Sequence, residues 1–269
     1  MGQARYIMIG GFLGAGKTTA ILRLADRLKR EGRRVGLITN DQSIDLVDTA
    51  RARADGFPVE EITGGCFCCK FDSLVQASQA LTRATAPDVL IAEPVGSCTD
   101  IKATVGYPLR QMYNSDYTVA PLSVVVDPLR CAGILGLIPG KSFSDKVIYV
   151  YRKQLEEAEL IVVNKVDLID EAFRGRLDAA LAKAFPLGKR MYASTRTGDG
   201  LAAWFDALLG GTLGIAAPME VDYDRYAEGE ALLGWLNARA EVSSPAPFDG
   251  NAFLITLAQF GVTLPMDRS

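Results

Sequence analysis

The octapeptide GFLGAGKT, residues 11 to 18, stands between an apolar segment and a helix-forming segment, and it decides the fold of the chain. It fits the pattern G-x-x-x-x-G-K-[ST], whose glycines let backbone N–H groups close around phosphate oxygens at the positive end of a helix. Lys17 is expected to reach the β- and γ-phosphates as a catalytic group, and Thr18 to offer its hydroxyl to Mg²⁺. The predicted phosphate-binding residues are Gly11, Gly14, Ala15, Gly16, Lys17, Thr18 and Thr19.

Short apolar segments alternate with longer segments of helical character on both sides of this loop. Strands are predicted at Tyr6–Gly10, Val35–Thr39, Val89–Ala92, Leu122–Val126, Leu160–Val163 and, more weakly, Arg190–Ala193. Helices are predicted at Lys17–Arg30, Phe71–Ala84, Ile101–Tyr113, Glu171–Phe185, Leu201–Leu209 and Asn251–Phe260. Continuous apolar strands separated by helices indicate an α/β fold, a doubly wound and mostly parallel sheet whose ligands bind at the carboxyl ends of the strands.

A second nucleotide signal is the N-K-x-D pattern of Asn164-Lys165-Val166-Asp167, at the end of a predicted strand. A carboxylate at Asp167 can accept hydrogen bonds from the N1–H and the 2-amino group of guanine, a donor pair that adenine lacks. Asn164 is expected to fix the loop and the base edge, and the aliphatic stem of Lys165 to lie over the ring. Ser194 either contacts the guanine oxygen or belongs to an ordinary polar turn. Together these residues predict a GTP site.

Two further loops have features of nucleotide-dependent switches. Glu93-Pro94-Val95-Gly96 forms an E-x-x-G pattern at a strand end, where Glu93 can organise Mg²⁺ and its waters and the Gly96 N–H can approach the γ-phosphate. Glu93 and Gly96 are therefore predicted to be catalytic residues beside Lys17. The loop Asn40–Asp48 is either a first switch, which contacts Mg²⁺ or a second metal through Asp41, or a plain solvated loop.

Three of the chain's five cysteines lie within the hexapeptide GGCFCC, residues 64 to 69. If the backbone is extended there, Cys66 and Cys68 point the same way, and Cys69 lies on the adjoining turn. Three thiolates favour Zn²⁺ or Cu(I) and tolerate Co²⁺. They leave a fourth position open, because the chain has no histidine to close the site. The fourth ligand stays open among Cys98, a carboxylate, water and a second subunit. The metal is either transferable or a structural clip, and Cys131 is predicted to be a core residue.

With these motifs in this order, the chain resembles the CobW-like P-loop GTPases over about residues 5 to 209. Its hexapeptide matches that family's G-G-C-x-C-C signature at every fixed position. The resemblance implies Mg²⁺-dependent GTP hydrolysis, binding of a transition metal such as Zn²⁺ or Co²⁺ by Cys66, Cys68 and Cys69, and delivery of that metal to a client metalloenzyme. Analogy with this broad class of GTPases also suggests a homodimer.

Three differences separate the chain from that family. Asn40-Asp41-Gln42-Ser43 stands where the family has an Asn-Glu pair followed by an aromatic residue and glycine. A histidine-rich stretch is absent, and the C-terminal domain is reduced to a remnant. We therefore predict a P-loop GTPase domain with the inserted cysteine motif at residues 1–212. Residues 213–269 are predicted to be a linker and a reduced C-terminal segment.

Charge and hydropathy argue against two classes of partner. A net charge of −3 lacks the excess of basic residues that a nucleic-acid partner requires. No apolar run approaches the roughly 20 residues that span a membrane, so a cytoplasmic location is expected.

Two competing functions stay open. One is a P-loop kinase or ATPase with structural cysteines, which N-K-x-D disfavours, and the other is a GTP-dependent assembly factor that carries no metal itself.

Overall fold

A computed structural model of the chain describes residues 3–41, 47–139, 143–215, 219–233 and 242–263. The side chains of residues 41, 47, 48, 50, 51 and 260–263 lie outside this description. The chain forms two compact units, Met1–Trp235 and Leu236–Ser269. The sequence motifs that predict nucleotide and metal binding all fall in the first unit.

The first unit is built around one sheet whose strand pairs are all parallel. Its strands are β1 (Ala4–Gly11), β2 (Val35–Asp41), β3 (Val59–Thr63), β4 (Val89–Glu93), β5 (Tyr117–Val119), β6 (Ser123–Val126), β7 (Leu160–Val163) and β8 (Lys189–Tyr192). They lie in the order β3-β2-β4-β1-β6-β7-β8, and β5 pairs with the first residues of β1. The predicted doubly wound α/β fold is confirmed, and β1 lies where the strand order reverses, which is where such sheets bind ligands.

Helices cover both faces of this sheet. They are α1 (Lys17–Arg30), α2 (Val47–Ala54), α3 (Phe71–Thr85), α4 (Tyr107–Met112), α5 (Pro128–Ile134), α6 (Asp145–Glu157), α7 (Glu171–Ala184), α8 (Leu201–Gly210) and α9 (Tyr223–Ala231). The second unit contains α10 (Gly250–Thr263). None of the described helices combines the length and the apolar character needed to cross a membrane.

The two faces of β1 show why the sheet needs helices on both sides. Tyr6 and Met8 are fully buried in one apolar cluster, and Ile7 and Ile9 are fully buried in the other. Successive side chains of a strand point to opposite faces, so a run of apolar residues must be covered twice. This double burial holds β1 at the centre of the sheet and fixes the position of the loop that follows it.

The structure contains elements that the sequence pattern did not predict, among them β3, β5 and α6. β3 has the sequence VEEIT, and its mixed polarity reflects an edge strand that is only partly buried. β5 is three residues long, which is too short for a periodic pattern. The helix predicted at Ile101–Tyr113 consists of a π-helical turn at Lys102–Gly106 followed by α4.

The described residues between α8 and the second unit pack against the rest of the first unit. The Leu213 N–H donates to the Val119 carbonyl over 2.9 Å, and Leu213 is buried. α9 lies against α6 at Gly229, where an added β-carbon would be 2.5 Å from the Lys146 carbonyl oxygen. Glycine thus permits the close approach of these two helices. The division predicted after residue 212 stays a prediction.

Candidate nucleotide and metal site

The phosphate loop joins the end of β1 to the start of α1, as its pattern predicts. Gly11, Gly14 and Gly16 have φ angles of 134°, 69° and 97°, in a region that other residues rarely adopt. A β-carbon at Gly11 would strike the backbone of Val125 in β6, and one at Gly16 would strike the side chain of Asn164. Glycine therefore permits the loop conformation, and at residues 11 and 16 it also permits close contact with Val125 and Asn164.

A cavity of about 480 Å³ opens at this loop, at the carboxyl ends of the central strands. It brings together the phosphate loop, the E-x-x-G segment, the end of β2 and part of the N-K-x-D segment. Its lining residues are Leu13, Gly14, Gly16, Lys17, Thr18, Thr19, Thr39, Asn40, Glu93, Pro94, Val95, Gly96, Lys165 and Thr195. Thr39, Asn40 and Thr195 are cavity residues that the predicted set of site residues lacks.

The predicted magnesium ligands lie together on one side of the cavity. The Thr18 hydroxyl donates to Glu93 Oε1 over 2.9 Å. Gly96 packs so closely on the phosphate loop that a β-carbon there would be 2.7 Å from Leu13 Cδ2. Lys17 is only 8% exposed, at the first position of α1. A hydroxyl beside a carboxylate is an oxygen donor set that fits Mg²⁺, which binds proteins through few oxygens and keeps several waters.

Asn164 joins the N-K-x-D segment to the phosphate loop. Its Nδ2 donates to the Ala15 carbonyl over 2.9 Å and to Thr195 Oγ1 over 3.2 Å. Its Oδ1 accepts from the Thr195 N–H over 2.9 Å, so both ends of the buried amide are hydrogen bonded. Asn164 therefore fixes two loops at once, which leaves its contact with a base as a prediction.

Lys165 makes contacts that the sequence did not predict. It has a φ of 58°, and its Nζ donates to the Gly14 carbonyl and to Asp127 Oδ2, each over 2.8 Å. Asp127 Oδ1 accepts from the Arg130 N–H over 2.9 Å, and the Arg130 guanidinium donates to the Leu13 carbonyl. Burial raises the pKa of Asp127, but the Arg130 N–H and the Lys165 ammonium together outweigh it and lower the pKa.

Asp127 is thus a site residue that the sequence analysis missed. A signal for it exists, because Asp127 directly follows the apolar strand β6, just as Asn164 directly follows β7. Polar residues at the carboxyl ends of central parallel strands are candidates for ligand sites. Asp127 and Arg130 fix the position of the Lys165 ammonium relative to the phosphate loop.

Ser194 is placed beside Asp167. Its hydroxyl donates to Asp167 Oδ1 over 2.6 Å and accepts from the Thr197 N–H over 3.1 Å. The structure thus pairs Ser194 with the carboxylate that is predicted to bind guanine. The arrangement orients Asp167, and a direct contact of Ser194 with the guanine oxygen stays a prediction.

The cysteine motif forms a tight turn before α3. The N–H groups of Cys69 and Lys70 donate to the Cys66 carbonyl over 3.1 and 3.0 Å. The backbone is therefore not extended from Cys66 to Cys68, because the chain turns here to enter the helix that begins at Phe71. The turn still brings the motif's three thiols together, with all sulfur atoms within 4.8 Å of one another.

The sulfur separations suit one shared ion. Cys66 Sγ lies 2.6 Å from Cys68 Sγ and 3.0 Å from Cys69 Sγ, and the Cys68 and Cys69 sulfurs are 3.9 Å apart. Two thiolates on one tetrahedral Zn²⁺ ion lie about 3.8 Å apart, so small side-chain rotations reach that geometry. The group is buried at Cys66 and exposed at Cys69, which gives it one open side.

A further cysteine, Cys98, lies in the segment that follows β4. It is 1% exposed and lies outside the group of three thiols. Interactions with the thiols of Cys68 and Cys98 lower the pKa of Cys66, whereas interactions with Cys66 and Cys68, together with burial, raise the pKa of Cys98. Cys131 is fully buried in α5, as predicted for a core residue.

Asn40 connects the nucleotide cavity with the cysteine motif. It lines the cavity, and its Nδ2 donates to the carbonyls of Ile62 and Gly65 over 3.0 and 2.7 Å. Its Oδ1 is buried without a hydrogen-bond partner among the described residues. Asp41 ends β2, but its side chain and residues 42–46 lie outside the described part of the chain. The predicted metal contact of Asp41 therefore stays a prediction.

Comparisons with known proteins agree with this geometry. The sequence profile described as "CobW/HypB/UreG, nucleotide-binding domain" matches residues 5–189. The zinc chaperone CobW of Sinorhizobium sp is 31% identical over 194 residues, 63% of this chain and 52% of that protein. The zinc chaperone YeiR of Escherichia coli strain K12 is 33% identical over 170 residues, 61% of this chain and 47% of that protein. The matched region thus spans about half the length of these relatives.

A solved structure supports the fold. HypB from Helicobacter pylori, in complex with nickel, superposes with a TM-score of 0.56 at 18% identity. The superposition covers 77% of this chain and 86% of that chain.

Proposed function

The chain belongs to the family of CobW/HypB/UreG nucleotide-binding domains, and on that basis we propose a GTP-dependent metal chaperone. It binds and hydrolyses GTP with Mg²⁺ and uses the nucleotide state to hold or release a transition metal. Two of its relatives are named zinc chaperones, and a thiolate group without histidine suits Zn²⁺, so Zn²⁺ is the proposed cargo and Co²⁺ a chemical substitute. The recipient is a client metalloenzyme, and a homodimer is part of the proposal.

The observation that carries this proposal is the position of Asn40 between the two sites. One side of Asn40 faces the nucleotide cavity, and its amide holds the carbonyl of Gly65, the residue before Cys66. Its buried Oδ1 has no partner in the described part of the chain, and such a group normally finds one. A bound nucleotide or its hydrated cation would supply that partner. A shift of Asn40 then moves the backbone that carries Cys66.

The residues around the cavity support the proposed binding of the phosphates and the neutralisation of their charge. The Lys17 ammonium neutralises charge on the β- and γ-phosphates, and the phosphate loop supplies backbone N–H groups. Mg²⁺, when bound, neutralises the charge that develops on the phosphate oxygens. Thr18 would hold that ion directly, and Glu93, already 2.9 Å from the Thr18 hydroxyl, would orient its waters. Gly96 offers an N–H to the γ-phosphate without a side chain in the way.

Guanine selectivity is proposed to rest on Asp167. Ser194 holds one carboxylate oxygen of Asp167 in place, which reduces the freedom that Asp167 would lose when a base binds. Lys165 is fixed by Gly14 and Asp127 at the mouth of the cavity. A base stacked on its aliphatic stem would therefore meet a side chain that is already ordered.

An anaerobic titration with Zn²⁺ tests the proposal. The full chain is titrated in the presence of Mg²⁺ with GTP, with GDP and without nucleotide, and GTP hydrolysis is measured with and without metal. We expect tighter Zn²⁺ binding with GTP than with GDP, and by reciprocity tighter GTP binding with Zn²⁺. A coupling of about 1–3 kcal/mol corresponds to a 5–150-fold difference in affinity.

A control variant distinguishes an effect of the three cysteines of the motif from an effect of replacing any cysteine of the chain. Replacing Cys66, Cys68 and Cys69 together by Ser should remove both the metal binding and the coupling, and Cys131→Ser should leave both intact. Equal metal affinity in all three nucleotide states would sink the chaperone proposal. It would favour instead a GTP-dependent assembly factor in which the metal only braces the loop.

A further inference from the structure

We propose that Gln154 of α6 is a positioning residue for GTP hydrolysis, which holds Gly96 in place for the γ-phosphate. This inference rests on the proposed GTPase function and adds to it a residue outside the nucleotide-binding motifs. The observation behind it is a pair of hydrogen bonds. Gln154 Nε2 donates to the Gly96 carbonyl and to the Cys98 carbonyl, each over 2.9 Å. The end of the E-x-x-G segment is therefore fastened to a helix that is distant in sequence.

Gln154 lies on the largely apolar buried face of α6. That face also contains Val147, Val150, Tyr151 and Leu155, which recur with helical spacing. Gln154 is only 2% exposed. A buried amide costs free energy unless its polar atoms are hydrogen bonded, so a polar residue on such a face is informative. The side-chain NH₂ group has two N–H donors, which matches the two carbonyls that it binds.

The two carbonyls belong to one tight turn. The Cys98 N–H donates to the Val95 carbonyl over 3.0 Å, which closes the turn of residues 95–98. Gln154 binds this turn at two points, and two restraints fix its orientation as well as its position. Glycine has a wider range of backbone conformations than any other residue. The turn at Gly96 therefore needs restraint from outside to keep one geometry.

Two further contacts leave this turn little room to move. A β-carbon on Gly96 would be 3.1 Å from the Leu13 backbone nitrogen, so the turn lies directly against the phosphate loop. The fully buried Ser97 donates from its hydroxyl to Glu230 Oε1 of α9 over 2.6 Å. Because the turn touches the phosphate loop, a small displacement of Gly96 would change its distance from a γ-phosphate bound there.

The helix α6 contacts the phosphate loop as well. The ring of Tyr151, one turn before Gln154, meets the ring of Phe12 edge to face, with the ring centroids 5.5 Å apart. One helix thus holds both the loop that binds the phosphates and the turn that approaches the γ-phosphate. Donors that are positioned in advance assist catalysis, because they need not reorganise during the reaction. GDP has no γ-phosphate, so its binding does not depend on this geometry.

Gln154→Met tests the inference, because methionine is similar in shape and lacks both donors. Three quantities are measured in the full chain with Mg²⁺: the affinity for GDP, the affinity for a non-hydrolysable GTP analogue, and kcat at saturating GTP. We expect kcat to fall by about 10- to 100-fold through misplacement of Gly96. The affinity for the analogue should fall about tenfold relative to that for GDP, and GDP affinity should stay unchanged.

Leu81→Ala is the control for a general loss of stability. Leu81 is buried in α3 and packs on Gly36 near the amino end of β2, away from the cavity. This variant should lower the midpoint of urea unfolding and leave kcat and the ratio of analogue to GDP affinity unchanged. A Gln154→Met variant that loses stability but keeps the parent kcat and the parent affinity ratio would overturn the inference and give Gln154 a purely structural role.

A measurement on the parent protein decides the case in which Gln154→Met does not fold. The NMR resonances of the Gln154 side-chain amide are compared between the GDP state and the state with the GTP analogue. Because the Gly96 carbonyl accepts from this amide, a γ-phosphate contact at Gly96 should shift the resonances, and identical resonances in both states would overturn the inference. A parent that neither hydrolyses GTP nor distinguishes it from GDP would overturn the proposed function as well.

Discussion

The side-chain amide of Asn164 donates to the carbonyl of Ala15 over 2.9 Å, and this bond locks the N-K-x-D segment to the phosphate loop. The two segments are far apart in sequence and are joined by the adjacency of β1, β6 and β7. The amide also contacts Thr195 at both of its ends. One buried side chain therefore positions both the phosphate loop and the loop that carries Thr195.

This contact predicts the effect of Gly16→Ala. The new methyl group would strike Asn164 Nδ2, and Gly16 has a φ of 97°, which alanine rarely adopts. We expect the free energy of unfolding to fall by about 1–3 kcal/mol and nucleotide binding to be lost. Gly175→Ala in α7 is the matched control, because open space surrounds that position. It should raise stability by about 0.5–1 kcal/mol in urea unfolding. Equal effects at the two glycines would contradict the proposed contact.

Replacing Lys17 by Ala should weaken GTP binding about 10–100-fold, because charge-assisted hydrogen bonds to the phosphates are each worth about 1.5–3 kcal/mol. Lys29→Ala, at the other end of α1, is the control and should leave binding unchanged. The measurement is equilibrium binding of a fluorescent GTP analogue with Mg²⁺. Wild-type affinity in Lys17→Ala would place the triphosphate elsewhere.

Asp167→Asn tests the base specificity. An amide offers one donor and one acceptor in place of two acceptors, so it matches xanthine, which has an oxygen where guanine has its amino group. GTP affinity should fall about 100-fold or more, XTP should bind instead, and ATP should remain excluded. The exposed Asp26→Asn on α1 serves as control. Unchanged GTP selectivity in Asp167→Asn would rule out Asp167 as the guanine ligand.

Glu157, at the end of α6, predicts a pH effect on stability. Burial raises its pKa to about 8, although its Oε2 accepts from the Lys102 N–H over 3.0 Å. Nearby Asp100 adds to the rise. Between about pH 4.5 and pH 8 the folded state therefore holds a proton that the unfolded state has lost. The stability contributed by that proton is present below about pH 4.5 and is lost as the pH rises through about 8.

Glu157→Gln removes this titration and keeps an acceptor for Lys102. Urea unfolding at about pH 5 and about pH 8.5 should show that the variant gains stability relative to the parent as the pH rises, by on the order of a few kcal/mol. Glu156→Gln removes a neighbouring exposed carboxylate and should show no such trend. A constant difference between Glu157→Gln and parent at both pH values would mean that Glu157 titrates normally.

Much of the fold and of the nucleotide site follows from local sequence. The phosphate loop, the N-K-x-D segment and the cysteine motif each keep their functional atoms within a few residues, so their patterns are readable without a structure. The apolar runs of β1, β4 and β7 indicate a sheet that is covered on both faces. The strands β3 and β5 were not predicted. β3 is an edge strand that is only partly buried, and β5 is too short, so neither shows a distinct sequence pattern.

The amino-acid sequence by itself determined the fold class and the chemical identity of the candidate ligands. Only the tertiary structure decided which distant residues meet: Asp127 with Lys165, and Asn40 with Gly65. The residues of a local motif are held together by their spacing along the chain, and that spacing can be read directly from the sequence. Contacts between strand ends depend on the order and register of parallel strands, and these result from burying the whole sheet at once.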